Sequence, residues 1–145
     1  MKHHLIHFRS KVNNIGSGRV FETGEFDDIF IYFVDHGAKE SISFPSSNLD
    51  AKTLQKTLMQ MHSKRLYNKM LIYLESCESG SMFEGFLPTD LNILAVTASN
   101  STESSYACFY NETMNTFLAD VFSYRKLKIL INPTTELEVL NPNIG

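Results

Sequence analysis

Two residues with reactive side chains, His36 and Cys77, each follow the end of an apolar run that predicts a β-strand. The run Ile29–Val34 precedes the histidine, and the run Met70–Leu74 precedes the cysteine. A thiolate is a strong nucleophile, and a neighbouring imidazole can take the proton of the thiol and later protonate a leaving group. This pair of residue types predicts nucleophilic catalysis, provided that the fold brings the two strand ends together.

Glycines accompany both reactive residues. Gly37 follows His36 directly, and Gly80 lies shortly after Cys77. A residue without a side chain lets a substrate backbone come close and leaves N–H groups accessible to an oxyanion. From spacing alone, a structural cysteine and an incidental surface histidine remain an open alternative.

The segments around these residues predict a helix between two strands. Residues 50–64 form an amphipathic pattern, because their apolar side chains recur at helical spacing. We place the N-cap of this helix at Ser47, with Asp50 completing the cap. Further predicted elements are a hairpin-like strand, a third strand, a second helix and a last strand, at residues 41–45, 91–97, 112–123 and 127–131.

Strands that alternate with helices indicate an α/β protein with a mostly parallel sheet. The run Ile29–Val34 is continuously apolar, which is typical of a strand buried on both faces. In an open α/β sheet, ligands bind beyond the carboxyl ends of the strands. His36 and Cys77 both fall at that edge, and a helical crossover would place their strands side by side.

Composition restricts the remaining alternatives. The chain has 145 residues, of which 43% are hydrophobic and 20% charged, as expected for one globular domain and not for a disordered chain. A net charge of −3 argues against nucleic-acid binding through a basic surface. The apolar runs are far shorter than the roughly 20 residues of a transmembrane helix, and no apolar segment follows the basic start. We therefore expect neither a membrane span nor a signal peptide.

We predict no metal site at Cys108 or at the N-terminal histidines. Cys77 and Cys108 allow one disulfide at most, and we interpret Cys108 as a small buried side chain and not as a second nucleophile. His3 and His7 have the spacing of two ligands on one face of a predicted helix at residues 4–13. We favour a solvated helix there, and we predict no metal and no cofactor.

Longer motifs around both reactive residues resemble one protein family. The chain resembles legumain, the asparaginyl endopeptidase family, in five stretches that occur in the same order: residues 15–20 (Ile-Gly-Ser-Gly-Arg-Val), 29–37, 69–82, 97–100 and 103–108. The resemblance runs from about Lys11 to Ser123. It implies a cysteine endopeptidase that cleaves after asparagine, and after aspartate at lower pH. It also implies a caspase-like three-layer α/β sandwich with a mostly parallel central sheet.

The resemblance assigns roles to individual residues. Cys77 would be the nucleophile and His36 the general acid/base, while the backbone N–H groups of Gly37 and Cys77 would form the oxyanion hole. Asp35 matches an aspartate that the family can convert to a succinimide linked to peptide ligation.

Four further positions match the S1 pocket of the family. Glu75 and Asp120 correspond to its acidic residues, and Ser104 and Ser105 to its serine wall. Carboxylates accept hydrogen bonds from the amide of asparagine, and near neutral pH they repel an aspartate side chain. Protonation relaxes that discrimination. The implied partners are protein or peptide substrates with asparagine at the cleavage site.

The resemblance covers only part of the family's catalytic domain. We expect residues 1–123 to form a partial legumain-like peptidase domain, with a sheet that is incomplete at its N-terminal side, and residues 124–145 to form a divergent tail. The family's first strand, a catalytic asparagine and the basic part of the S1 pocket have no counterpart in this sequence. One hypothesis is an active endopeptidase in a lysosome, a vacuole or a secretion. The other is an inactive fragment that binds partners or competes with a complete enzyme.

Overall fold

The computed structural model describes residues 22–131, which form two compact units that divide between Ser104 and Ser105. The first unit contains strands β1 to β6, helix α1 and a 3₁₀ helix, and the second contains β7, β8 and α2. Their bounds are β1 Ile29–Val34, β2 Gly37–Ala38, β3 Ser41–Phe44, β4 Ser47–Asp50, α1 Ala51–Ser63, β5 Met70–Glu75, the 3₁₀ helix Ser79–Met82, β6 Ile93–Thr97, β7 Ala107–Asn111, β8 Thr116–Asp120 and α2 Val121–Ile131.

A parallel sheet with the strand order β1-β5-β6 forms the centre of the first unit. Ile29 pairs with Met70, and Met70 pairs in turn with Ile93, so the three strands start level with one another. Helix α1 lies in the connection between β1 and β5, which confirms the predicted helical crossover. Strands β2, β3 and β4 form a separate antiparallel sheet, in which β3 confirms the strand predicted at residues 41–45. The α/β class is therefore confirmed.

Only one face of the parallel sheet is well covered along β1. Ile29 is 6% exposed, whereas Phe30 and Tyr32 are 58% and 48% exposed. The buried side chains of β5 and those of α1 belong to one apolar core. The prediction that β1 is buried on both faces is therefore wrong. The physical reason is that α1, the one long helix of the first unit within residues 22–104, can cover a single face.

Helix α1 is amphipathic as predicted, but a different residue caps it. The Asp50 carboxylate accepts hydrogen bonds from the Thr53 N–H and from the Thr53 hydroxyl, both at 2.8 Å. The predicted cap at Ser47 is wrong, because Ser47 belongs to β4 and pairs with Phe44. The buried side chains of the helix are Ala51, Leu54, Leu58 and Met61.

We expect Asp50→Ala to lower the free energy of unfolding by about 1 kcal/mol, because it removes an N-cap acceptor. The same contacts lower the pKa of Asp50 below its usual value of 3.8, and the hydrogen bond with the Thr53 side chain is the largest cause. A carboxylate with a lowered pKa in the folded state stabilises the fold above its unfolded value, and this contribution is lost as the pH falls through the folded value.

Urea unfolding of the unsubstituted chain and of Asp50→Ala, at pH 7 and at about pH 3, measures this effect. The difference in their free energies of unfolding should be present at pH 7 and smaller at about pH 3. Asp90→Ala, at an exposed turn position, is the matched control. An equal loss of stability at both pH values would exclude the charged cap as the source.

The second unit begins with an antiparallel hairpin, where the sequence pattern predicted a helix at residues 112–123. Tyr110 lies opposite Phe117, with the ring centroids 5.1 Å apart, and aromatic cross-strand pairs stabilise hairpins. The Asn111 side-chain oxygen accepts a hydrogen bond from the Met114 N–H at 2.9 Å, which fixes the turn. The predicted helix over this segment is therefore wrong.

Helix α2 replaces the last strand that was predicted at residues 127–131. The Val121 N–H at the start of α2 donates to the Tyr106 carbonyl at 2.9 Å, so the helix starts directly from the hairpin. A short apolar run does not distinguish a strand from a helix, which explains the error. The boundary predicted between residues 123 and 124 falls within α2 and stays a prediction.

Several sequence predictions lie outside the described residues. They are the helix at residues 4–13, the His3 and His7 pair, and the motif at residues 15–20. Neither of the described α-helices is both long and apolar enough to cross a membrane.

Candidate active site

The carboxyl ends of β1 and β5 lie next to each other in the sheet. Val34 pairs with Glu75, and the Asp35 N–H donates to the Glu75 carbonyl at 3.2 Å. Both strands end at this pair of residues. The chain continues from β1 to His36 and from β5 to Cys77. The predicted meeting of the two strand ends is therefore confirmed.

The backbone of His36 is held on both sides. Its N–H donates to the Asp35 carboxylate at 2.7 Å, and its carbonyl accepts from the Ser43 N–H at 2.9 Å. The side chain is exposed. A fixed backbone with an exposed imidazole leaves the ring accessible to a substrate.

Gly37 packs directly against the loop that carries the cysteine. A Cβ atom at Gly37 would lie 2.5 Å from the Cys77 carbonyl oxygen and 2.6 Å from the Ser76 Oγ. Both distances are below the 3.0 Å that real Cβ contacts respect. The sequence pattern indicated an N–H accessible to an oxyanion at Gly37, and the structure adds a second reason for glycine, the contact between the two loops.

Cys77 is half-buried, is not in a disulfide and lies in a sharp turn after β5. The next residue, Glu78, has a φ of 52°, in the left-handed region that non-glycine residues seldom occupy. The Glu78 N–H donates to the Glu103 carbonyl at 2.7 Å. Strained residues of this kind often occur at functional sites, and here the strain turns the chain immediately after the thiol.

Buried serines fasten this turn to the loop after β6. The backbone N–H of Ser79 donates to the Ser99 Oγ, and the N–H of Ser99 donates to the Ser79 Oγ, both at 3.1 Å. The Ser99 hydroxyl donates to the Ser76 carbonyl at 3.0 Å. A Cβ at Gly80 would lie 2.8 Å from the Asn100 carbonyl carbon, so the two loops also touch through their backbones.

Ser81 links residues 35–40, here called the histidine loop, to residues 76–82, here called the cysteine loop. Its Oγ accepts from the Glu40 N–H at 2.7 Å, in the turn between β2 and β3, and donates to the Glu78 carbonyl at 2.6 Å. Ser81 is 4% exposed. Sequence reasoning did not identify Ser81 or Ser99 as supports of the site. The available signal was the density of serine and glycine directly after Cys77.

We expect Ser81→Ala to lower the free energy of unfolding by about 1–3 kcal/mol, because it leaves the Glu40 N–H and the Glu78 carbonyl without this partner. Urea unfolding measures the change. The exposed Ser63 at the end of α1, changed to alanine, is the matched control and should have little effect. A Ser81→Ala protein as stable as the unsubstituted chain would contradict the link between the two loops.

The predicted pocket residues fall in both units. Glu75, the last residue of β5, is 2% exposed and accepts a hydrogen bond from the Tyr32 hydroxyl. Ser104 is exposed at the end of the first unit. In the second unit, Ser105 precedes β7 and Asp120 ends β8, so both lie at the same end of the hairpin. The roles of these four residues in a pocket stay predictions.

A cleft of about 590 Å³ lies at the other edge of the parallel sheet. Its lining includes Asp28, Phe30, Lys69 and Leu94, at the amino ends of the strands, and contains no histidine or cysteine. The reactive groups therefore lie away from this cleft, at the carboxyl edge where α/β proteins bind ligands. No group of three or more histidine, cysteine or acidic side chains fit to hold a metal occurs among residues 22–131.

The parallel sheet, whose neighbouring strands lead into His36 and Cys77, defines an α/β protein with a histidine and a cysteine at the carboxyl edge of its sheet and with the backbones that carry them in contact. Comparison with protein families gives the particular family. The model of the peptidase C13 family matches residues 5–141. The chain belongs to the peptidase C13 family.

Individual relatives agree with this assignment and confirm the resemblance to legumain. The chain is 47% identical to legumain from Bos taurus over 112 residues, which is 77% of this chain and 26% of the relative. It is 49% identical to hemoglobinase from Schistosoma mansoni over 115 residues, or 79% of this chain and 27% of the relative. It is also 47% identical to the vacuolar-processing enzyme delta-isozyme from Arabidopsis thaliana over 116 residues, or 74% of this chain and 25% of the relative. The chain spans about a quarter of the length of the curated relatives that it matches.

Proposed function

We propose that this chain carries the catalytic centre of a cysteine endopeptidase that hydrolyses peptide bonds after asparagine. The observation that carries the proposal is the close approach of Gly37 to the Cys77 carbonyl, because it brings the histidine loop against the cysteine loop at the sheet edge. Membership of a peptidase family supports the reaction class. The similarity to legumain supports the preference for asparagine.

In the proposed mechanism, His36 takes the proton of the Cys77 thiol, and the sulfur attacks the carbonyl carbon of the scissile bond. The tetrahedral intermediate collapses to a thioester as His36 gives the proton to the leaving amine. Water then attacks the thioester while His36 takes its proton. The thiol leaves with that proton, and the new carboxylic acid is released.

The oxyanion of each tetrahedral intermediate needs donors that are already in place. We assign this role to the backbone N–H groups of Gly37 and Cys77. The contact between the two loops supports the assignment, because it keeps the backbones of both residues close together. The Ser99 hydroxyl supports the assignment of Cys77, because it donates to the Ser76 carbonyl of the peptide group that carries the Cys77 N–H.

We assign asparagine recognition to Glu75 and Asp120, with Ser104 and Ser105 as the polar wall of the S1 pocket. A carboxylate can accept hydrogen bonds from the substrate amide, and it repels an aspartate in the same position. The burial of Glu75 supports this role, since electrostatic interactions with a neighbouring ligand are stronger inside a protein than in water.

Asp35 is the proposed succinimide-forming residue. The ring would form when the His36 backbone nitrogen attacks the side-chain carboxyl carbon of Asp35 and one water molecule leaves. The hydrogen bond of 2.7 Å from the His36 N–H to the Asp35 Oδ1 supports this assignment, because it brings the two groups together.

The proposal also covers the complete architecture of the domain and its location in the cell. A caspase-like three-layer sandwich is supported by the parallel sheet β1-β5-β6 and by family membership. A lysosomal or vacuolar location is supported by relatives that include a vacuolar-processing enzyme.

A panel of fluorogenic peptides that differ only at the residue before the scissile bond tests the proposal. With the purified 145-residue chain, peptides with asparagine should be cleaved, those with aspartate only towards the acid end of a range from about pH 4 to pH 7, and those with alanine hardly at all. An asparagine-directed electrophile should label Cys77. Absence of both turnover and labelling would reject the enzyme and favour the inactive fragment that binds partners or competes with a complete enzyme.

A further inference from the structure

Tyr32 lies on the same face of the sheet as Glu75. In the parallel register of β1 and β5, Tyr32 pairs with Tyr73 and Val34 pairs with Glu75. Side chains two residues apart on a strand point to the same side. The tyrosine is therefore the diagonal neighbour of the glutamate across the two strands.

The tyrosine hydroxyl donates a hydrogen bond to the Glu75 Oε2. The ring that carries it is held edge-on by Tyr73, at 6.4 Å between centroids and 90° between planes. Tyr73 itself contacts Phe30 edge-on, with centroids 5.3 Å apart. A row of three aromatic rings thus fixes where the hydroxyl points, and aromatic pairs prefer this arrangement.

A buried carboxylate has to be oriented by hydrogen-bond donors. Glu75 is 2% exposed, whereas the ring of Tyr32 reaches the surface. Because the hydroxyl holds one carboxylate oxygen, it contributes to fixing the orientation of the carboxylate. In the proposed function, Glu75 takes no part in the steps at the Cys77 sulfur, whereas the binding of the substrate amide depends on how its carboxylate is oriented.

We propose that Tyr32 is a positioning residue for asparagine specificity, which orients the Glu75 carboxylate towards the substrate side chain. The inference rests on the proposed function, because Glu75 is assigned to the substrate pocket there. Tyr32 itself acts through the glutamate and not on the reacting atoms.

Tyr32→Phe tests this inference, since it removes the hydroxyl and keeps the ring. For an asparagine peptide we expect KM to rise by about ten-fold, the factor that corresponds to one lost hydrogen bond, with kcat changed by less than about three-fold. The rate at which iodoacetamide alkylates Cys77 should not change, because this small reagent does not need the pocket. A merely structural role for Tyr32 would slow alkylation and turnover together.

Tyr67→Phe is the matched control. Tyr67 is 4% exposed, and its hydroxyl donates to the Leu91 carbonyl at 2.6 Å, before β6 begins and away from the site. Burial raises the pKa of Tyr67 above its usual value of 10.0, so its hydroxyl stays protonated and donating at the pH of the assay. Tyr67→Phe should lower thermal stability and leave KM unchanged.

A double-mutant cycle separates the inference from the proposed function. In a Glu75→Ala background, Tyr32→Phe should have no further effect on kcat/KM for the asparagine peptide. An asparagine-specific chain whose KM is unchanged by Tyr32→Phe would overturn this inference alone. A chain that cleaves asparagine and alanine peptides equally well would remove the proposed specificity, and the inference with it.

Discussion

Cys77→Ala is expected to lower kcat for an asparagine peptide by at least about 10⁴-fold, the scale seen when a hydrolase loses its nucleophile. Alanine leaves no atom that can attack the scissile carbonyl. The hydrogen bonds from the Glu78 N–H to the Glu103 carbonyl and from the Ser99 hydroxyl to the Ser76 carbonyl hold the turn without the sulfur, so we expect the fold to persist. Progress curves at substrate concentrations around KM, together with thermal melting, measure both expectations.

Cys108→Ala is the matched control for this result. Cys108 is the other cysteine of the chain, is also half-buried and also lies outside any disulfide, but it belongs to β7. Cys108→Ala should leave kcat unchanged within about two-fold, because Cys108 has no role in the proposed mechanism. Activity that survives Cys77→Ala, or that disappears with Cys108→Ala, would refute the assigned nucleophile.

Gly37→Ala is expected to lower turnover by roughly 100-fold, the effect of displacing catalytic groups by about 1 Å. The added methyl group would stand 2.5 Å from the Cys77 carbonyl oxygen, so one of the two loops has to move. Overpacking of this kind also destabilises proteins, typically by about 1–3 kcal/mol. Turnover at saturating substrate and urea unfolding give the two quantities separately.

Alanine substitutions at two other glycines show whether the effect of Gly37→Ala comes from the contact with Cys77 or from replacing any glycine by alanine. At Gly24 the nearest atom to an added Cβ is 3.9 Å away, so Gly24→Ala should change neither turnover nor stability. At Gly80 a Cβ would lie 2.8 Å from the Asn100 carbonyl carbon, and Gly80→Ala should resemble Gly37→Ala because it moves the same cysteine turn. A fully active Gly37→Ala protein would show that the two loops do not need this contact.

Much of the central sheet could be predicted, because its strands are encoded by local patterns. The apolar runs that became β1 and β5 are bounded by polar residues, and the spacing of Leu54, Leu58 and Met61 identified the crossover helix. Helical crossovers of this kind connect parallel strands that lie side by side, as β1 and β5 do. The sequence alone therefore located His36 and Cys77 at one edge of the sheet.

The second unit could not be predicted in the same way, because its structure depends on a few turn-specific contacts. The hairpin relies on the Asn111 side chain, on the left-handed φ of 50° at Asn115 and on the aromatic pair across the strands. None of these has a periodic signature. In the first unit, the roles of Ser81 and Ser99 could not be predicted for a similar reason, since a hydrogen bond to a backbone group distant in sequence produces no pattern in the spacing of residues.

The hydrogen bond between Glu40 and Ser81 restricts the two positions in different ways. Ser81 contributes a side-chain oxygen, whereas Glu40 contributes only its backbone N–H. The side chain at position 40 is therefore not part of this hydrogen bond, but the φ of 56° there favours asparagine or glycine, and proline would remove the N–H. Position 81 requires a small hydroxyl. Substitutions should consequently be limited by backbone conformation at position 40 and by side-chain chemistry at position 81, although the two positions share one hydrogen bond.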